Sequence, residues 1–169
     1  MTFGMPQPTE HHRKLAALEG TWTGVEKLYP SPWGPGGSAT GRTKSRLSID
    51  GFFLVQDYEE EKDGKVVFRG HGVMGYDAHE QSYLWYWFDS MGAPPKPSRG
   101  KWEGDTLTFL SEAAGQQSRY TYRFESPTQY SFKIEGSRGG SDWMPFMEAS
   151  YSRSGKWGST PPPNTAASG

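Results

Sequence analysis

The chain has 169 residues, the size of a single domain with short tails. Its 18 lysine and arginine residues nearly balance 19 aspartate and glutamate residues, so no strong field attracts nucleic acid or an acidic membrane. The absence of cysteine excludes disulfides, thiolate nucleophiles and thiolate metal sites. Because no apolar run reaches the ~18 residues of a membrane span and no signal-peptide pattern is present, we expect a cytoplasmic protein.

Aromatic and turn-forming residues dominate the composition and predict an all-β fold. The 7 tryptophans, 9 tyrosines and 9 phenylalanines supply buried area that the sparse aliphatic residues cannot. The 22 glycines and 13 prolines favour frequent turns over long helices.

The N-terminal region predicts an arm followed by one short helix. Residues 1–8 contain two prolines and no periodicity. Thr9 is a plausible N-cap, and Gly20 marks the end of the helix, whose apolar stripe is His11, Leu15 and Leu18. A helix this short is not stable alone, so we expect it to dock on the rest of the protein.

From Thr21 onward the sequence predicts ten short strands and a disordered tail. The strands are expected at 21–29, 41–50, 52–61, 65–76, 81–90, 97–103, 105–112, 117–125, 128–136 and 142–153. Closing so many antiparallel strands removes exposed edges, so we predict an up-and-down β-barrel over residues 9–153, with a β-sandwich as the alternative. A ten-stranded barrel is wide enough to hold a small molecule. Residues 154–169 are the predicted tail.

The turn at Asp63-Gly64 allows the pairing of the central strands to be predicted. A two-residue type I′ turn there places Gln56 opposite His71. A turn of even length between Tyr76 and Gln81 then places His71 opposite Tyr86.

The same register sets Gly70 and Gly72 opposite Trp87 and Trp85. The missing side chains leave room for the indoles to lie across the neighbouring strand. Because residues 83–88 leave no polar face, both sides of this strand must be covered.

A polar row of Gln56, His71 and Tyr86, flanked by Tyr58 and Arg69, follows from this register. Inside a barrel, hydrogen-bonding groups among aromatic rings are typical of a small-molecule site. We favour the interior position. An outward row under the helix or in a homodimer interface remains the alternative.

The predicted ligand-binding residues come from these strands and one loop. Trp33 lies at the centre of the proline-rich segment 30–37 and is expected to fold over an opening. The set comprises Gln56, Tyr58, Arg69, Trp33, Trp87, Asp89 and Phe88.

Three residues are candidates for acid–base chemistry. An imidazole such as that of His71 can serve as acid or base, and Tyr86 could donate to a developing oxyanion. Glu26 shares the strand parity of Trp22 and faces the interior if Trp22 plugs the barrel bottom, where burial would raise its pKa. The simpler alternative for Glu26 is an ion pair with an arginine. No residues have metal-ligand spacing, so no metal or cofactor is predicted.

Several motifs resemble known families. Gly20, Trp22 and Gly24 form a G-x-W-x-G segment that is similar to the opening of calycin-type barrels, including nitrobindin-like proteins. The F-x-G-x-G-x-x-G-Y-D segment from Phe68 and the W-x-D-x-M-G segment from Trp87 resemble the bacterial domain-of-unknown-function family number fifteen seventy-nine. A closing Tyr151-x-Arg153 agrees, so the resemblance covers about residues 8–153.

This resemblance implies a calycin-like barrel and no assigned activity. Nitrobindin relatives hold haem through a histidine near the C-terminal strands. The present chain has no histidine after His79, so that ligand is missing and haem is the weakest alternative.

Two functions are therefore predicted for the interior. The first is binding of a small, mostly apolar molecule, aromatic or polyketide-like. The alternative is a cofactor-free isomerase, cyclase, dehydratase or hydrolase that uses His71 or Glu26 as acid–base and Tyr86 as oxyanion donor.

Overall fold

Ten antiparallel strands close into one up-and-down barrel, as the sequence predicts. A computed structural model describes residues 4–32 and 34–154. The strands are β1 (Gly20–Leu28), β2 (Gly37–Ser48), β3 (Phe53–Lys62), β4 (Lys65–Asp77), β5 (Ser82–Asp89), β6 (Ser98–Glu103), β7 (Thr106–Ala113), β8 (Gln116–Ser126), β9 (Gln129–Arg138) and β10 (Met144–Ser154). Each strand pairs with the next, and β10 pairs with β1. Trp33 and residues 155–169, which cover most of the predicted tail, lie outside the described residues.

A short helical segment closes one end of the barrel. Helix α1 (Glu10–Lys14) continues as a 3₁₀ turn, Leu15–Leu18, whose two leucines are buried. The buried histidine is His12 rather than the predicted His11. His12 precedes Leu15 by three residues, and the three-residue repeat of the 3₁₀ turn places Leu18 on the same side as Leu15. No helix within residues 4–32 and 34–154 has the length and hydropathy to cross a bilayer.

Trp22 plugs the barrel floor beneath this helix. Its side chain is fully buried, and its indole N–H donates to the Leu18 carbonyl over 3.0 Å. The Arg153 guanidinium lies 4.6 Å from the centre of the indole. A Cβ on Gly24 would lie 2.9 Å from the Tyr151 ring, so the absence of a side chain at this glycine leaves space for the ring. The G-x-W-x-G and Tyr-x-Arg motifs thus meet where β1 and β10 close the barrel.

The pairing of β3 with β4 begins as predicted and then shifts by one residue. Lys62 pairs with Lys65 and Glu61 with Val66, as an Asp63-Gly64 two-residue turn requires. A bulge follows at Val67, so Gln56 lies opposite Gly72 rather than His71. Side chains alternate between the two faces along a strand. This one-residue shift therefore places Gln56 on the opposite face of the sheet from His71.

The pairing of β4 with β5 differs from the prediction by two residues. Gly72 lies opposite Trp87, and His71 lies opposite Phe88 instead of Tyr86. An even shift leaves the faces unchanged, and the indoles still lie across the glycines. A Cβ on Gly70 would overlap the Trp87 ring, and one on Gly72 would lie 2.7 Å from Trp85 Nε1.

Candidate ligand-binding site

The barrel encloses a cavity of about 920 Å³. Trp22, the 3₁₀ turn and their neighbours fill the end where β1 begins, so the cavity extends towards the opposite end. There it is bordered by segments from the two proline-rich loops, including Gly34–Gly36 and Pro94–Lys96. The cavity is therefore closed at the end where β1 begins and bordered by loops at the opposite end.

The β5–β6 loop forms part of the cavity wall. Strand β6 begins at Ser98, opposite Trp85, and pairs with β5 only over Tyr83–Trp85. Segment 90–97 therefore runs beside the part of β5 that follows Trp85, and its residues Met91 and Ala93 line the cavity.

Trp85 is the centre of the aromatic wall. Its ring centre lies 5.3 Å from that of Phe109, 5.3 Å from Tyr120 and 5.8 Å from Tyr122. Phe132 packs against Tyr122 with ring centres 4.6 Å apart. Such rings present flat apolar faces on which another aromatic system can stack.

Two buried polar atoms of this aromatic wall lack a partner among the described residues. The buried atoms Gln56 Oε1 and Trp85 Nε1 have no hydrogen-bond partner within residues 4–32 and 34–154. Trp87 is satisfied, because its Nε1 donates to Asp89 Oδ2 over 2.9 Å. Asp89 also accepts from the Met91 backbone N–H, so it fixes the start of the β5–β6 loop.

A buried carboxyl group, Glu26, lies directly behind the cavity wall. It is fully buried, and its Oε2 accepts hydrogen bonds of 2.6 Å from both Tyr58 and Tyr151. Both tyrosines line the cavity. A Cβ on Gly41 would lie 2.8 Å from the Glu26 carboxyl carbon, so this glycine provides the space for the cluster.

The proton affinity of Glu26 is set by its burial. Burial raises the pKa of Glu26 to about 7, although the hydrogen bonds from Tyr151 and Tyr58 act in the opposite direction. The nearby Glu60 charge raises this pKa further. Burial and the charge of Glu26 together raise the pKa of Tyr58 well above its usual range. Near neutral pH, Glu26 can therefore hold or release a proton while the tyrosines keep theirs.

The predicted site residues divide between the two faces of the barrel. Glu26, Gln56, Tyr58, Trp87 and Asp89 point inward as one set, and the last four line the cavity. The predicted ion pair between Glu26 and an arginine is wrong, since its partners are tyrosines. Glu148, the other carboxyl group near the closure of β1 with β10, lies on the outer face with its Oε1 3.7 Å from Lys133 Nζ.

The predicted interior positions of His71, Tyr86, Phe88 and Arg69 are wrong. His71 lies on the outer face with its Nδ1 2.8 Å from Asp57 Oδ1, and Tyr86 and Phe88 are 38% and 45% exposed. Arg69 lies 3.6 Å from Glu59 in an exposed ion pair. The Val67 bulge is the cause, because it places Gln56 on the opposite face of the sheet from His71 and Tyr86. An outward row at an interface between two copies stays a prediction.

The cavity does not fit a haem held by histidine. All four histidines lie within the described residues, and none lines the cavity. No group of three or more histidine, aspartate or glutamate side chains in residues 4–32 and 34–154 is arranged to hold a metal ion.

Several cavity residues are absent from the predicted site. They are Trp85, Tyr120, Tyr122, Phe132 and Tyr151. The alternation of aromatic residues along Tyr120, Tyr122 and Phe124 is a signal for one face of a strand. It does not say which face is inside, and the closure of β10 on β1 supplies that information.

The family resemblance is confirmed. The sequence profile of DUF1579, a family described as being of unknown function, matches residues 7–153. No curated protein matches the chain.

Two solved structures share the fold. That of Rv2717c from M. tuberculosis has a TM-score of 0.65 at 14% identity, covering 86% of this chain and 98% of that one. The S-type phycobiliprotein lyase CPES from Guillardia theta has a TM-score of 0.62 at 8% identity, covering 88% of this chain and 95% of that one. At these identities the likeness shows a shared barrel.

Proposed function

Because the chain belongs to the DUF1579 family, whose function is unknown, the function must be inferred from the site, and we propose that the protein binds a small, mostly apolar molecule inside its barrel. The observation that carries the proposal is the cavity of about 920 Å³ with an aromatic wall. Cavities of this size and lining typically surround a small ligand on most sides. An aromatic or polyketide-like ligand fits best, since flat rings would stack on Trp85 and its neighbours.

Two tyrosines on opposite faces of the barrel provide a matched test. Tyr120→Ala removes a ring from the cavity wall, whereas Tyr86→Ala removes one from the outer face. In titrations with the fluorescent apolar probe 1-aminoanthracene, Tyr120→Ala is expected to weaken binding about tenfold, because a stacked ring and its buried area are lost. Tyr86→Ala is expected to bind like the wild type.

Thermal melts of both variants show whether the barrel is intact. Equal affinities of the two folded variants would contradict an interior site, and weaker binding only in Tyr86→Ala would place the site on the outer face. The same probe with His71→Ala checks that this outer histidine has no part in the cavity.

Acid–base catalysis by Glu26 is the second candidate. The supporting observation is that a buried carboxyl group with a pKa of about 7 bonds two tyrosine hydroxyls that line the cavity. A protein named as a lyase has the same barrel, so this fold is compatible with an enzyme. Since Tyr58 and Tyr151 separate Glu26 from the cavity, a tyrosine hydroxyl would contact the substrate, and Glu26 would hold the proton behind it.

Conversion of a bound ligand would distinguish the two candidates. Any compound that co-purifies with the protein is incubated with wild type, Glu26→Gln and Tyr58→Phe, and its mass is followed over time. Catalysis predicts conversion by the wild type and loss of conversion with retained affinity in both variants. Simple binding predicts an unchanged compound in all three.

A further inference from the structure

The two unpartnered polar atoms in the cavity wall lie side by side. A Cβ placed on Gly72 would lie 2.6 Å from Gln56 Oε1 and 2.7 Å from Trp85 Nε1. Since both distances refer to one point, the two atoms lie within about 5 Å of each other beside the same glycine. One is an obligatory acceptor and the other an obligatory donor.

Leaving these atoms unpaired is costly. Gln56 is 3% exposed and Trp85 is 6% exposed, and neither atom finds a partner in the described part of the chain. A buried polar group without a hydrogen bond has lost its hydration with no protein partner to replace it. Native proteins rarely leave such atoms unpaired, so each of them calls for an explanation.

The surroundings hold the pair in place. A hydrogen bond from Gln56 lowers the pKa of Tyr122, against the larger effect of burial, which raises it. Gln56 thus faces the Tyr122 hydroxyl, while its Oε1 has no partner in the described residues. Trp85 is held by packing against neighbouring aromatic rings, with Trp87 at 5.5 Å and Phe109 at 5.3 Å between ring centres.

We infer that the bound molecule carries a lactam-like edge, a carbonyl next to an N–H on one side of a planar ring, that pairs with Trp85 Nε1 and Gln56 Oε1. This inference rests on the proposed function and names the chemical class of its ligand. The carbonyl accepts from the Trp85 indole, and the ligand N–H donates to the Gln56 oxygen. A ring with only a carbonyl would leave Gln56 Oε1 unpaired, and a hydrocarbon would leave both atoms unpaired.

Four probes of nearly one shape test the inference. They are 2-quinolinone, which has the whole edge, 1-methyl-2-quinolinone and coumarin, which lack the N–H, and naphthalene, which lacks both groups. Calorimetric titrations of the wild type are expected to show at least about tenfold tighter binding of 2-quinolinone than of either N–H-free carbonyl probe, because sites built for a hydrogen bond reject analogues that lack it. Naphthalene is expected to bind detectably through stacking alone.

Two conservative variants assign the preference to the pair. Trp85→Phe removes the donor, and Gln56→Met removes the acceptor, while both keep much of the side-chain volume. In each variant the ratio of the affinity for 2-quinolinone to that for 1-methyl-2-quinolinone is expected to fall to about twofold or less, whatever change in naphthalene affinity the altered wall brings. In NMR spectra of the wild type, the chemical shift of the Trp85 indole N–H is expected to change when 2-quinolinone is added and not when naphthalene is added.

The outcomes separate this inference from the proposed function. If naphthalene binds but the wild type does not distinguish 2-quinolinone from its N-methyl derivative, the cavity binds ligands and the lactam inference fails. If the preference for 2-quinolinone persists in both folded variants, another group of the protein binds the lactam edge and the inference also fails. If none of the four probes binds, the proposed function fails and the inference with it.

Discussion

Replacing Glu26 by glutamine is expected to remove a pH-dependent loss of stability of roughly 3 kcal/mol. In the folded protein, burial raises the pKa of Glu26 from 4.5 to about 7, so the folded state holds this proton more tightly than the unfolded chain. The contribution of Glu26 to the free energy of unfolding is therefore greatest below pH 4.5, falls as the pH rises to about 7, and is constant above that. Glutamine keeps the shape and hydrogen-bonding capacity of the neutral acid without this penalty.

Urea denaturation of wild type and Glu26→Gln between about pH 5 and pH 8 measures the effect. The variant is expected to gain stability relative to the wild type across that interval and to be the more stable protein at its upper end. Glu148→Gln is a matched control, since Glu148 lies on the outer face beside Lys133, and a surface change is expected to alter stability by less than about 0.5 kcal/mol. A difference between wild type and Glu26→Gln that stays flat with pH would show that Glu26 titrates normally.

Gly70→Ala is expected to destabilise the barrel by about 1–3 kcal/mol, the usual cost of overpacking. In an ordinary strand, alanine would be favoured over glycine by roughly 0.5–1 kcal/mol, so the sign of the effect is informative. Here the added Cβ would overlap the Trp87 ring. The indole would have to move, and its 2.9 Å hydrogen bond to Asp89 would be strained or lost.

A double-mutant cycle with Trp87→Leu isolates this contact. The smaller side chain leaves room for the methyl group, so Gly70→Ala is expected to cost much less in the Trp87→Leu background. Urea denaturation of the four proteins gives the coupling energy. A Gly70→Ala protein as stable as the wild type would mean that the indole does not lie across Gly70.

The fold could be predicted because it depends on local patterns that recur ten times. Alternating aromatic residues and turn dipeptides identify each strand, and the need to cover many edges predicts closure. The Asp63-Gly64 turn even gives the correct first pairs of β3 with β4. The 3₁₀ continuation of the helix was not predicted, because it depends on the fit of Leu15 and Leu18 into the barrel end.

The site could be predicted only in part, because it depends on which face is inside. One extra residue, Val67, separates Gln56 from His71, and nothing in the local sequence marks a bulge at that position. The tyrosine partners of Glu26 come from β3 and β10, and only barrel closure brings them together. The pair formed by Gln56 and Trp85 depends on the same register. By contrast, the placement of indole rings over Gly70 and Gly72 follows from residue size. It is predicted correctly even though the predicted pairing of β4 with β5 is wrong by two residues.

Native mass spectrometry of the protein purified from its own organism tests the central claim most directly. The interior cavity predicts one small molecule bound per chain, retained in the Tyr86→Ala variant and lost or reduced in the Tyr120→Ala variant. A bare chain that also fails to bind 1-aminoanthracene, or an adduct that persists in Tyr120→Ala and disappears in Tyr86→Ala, would contradict an interior binding site.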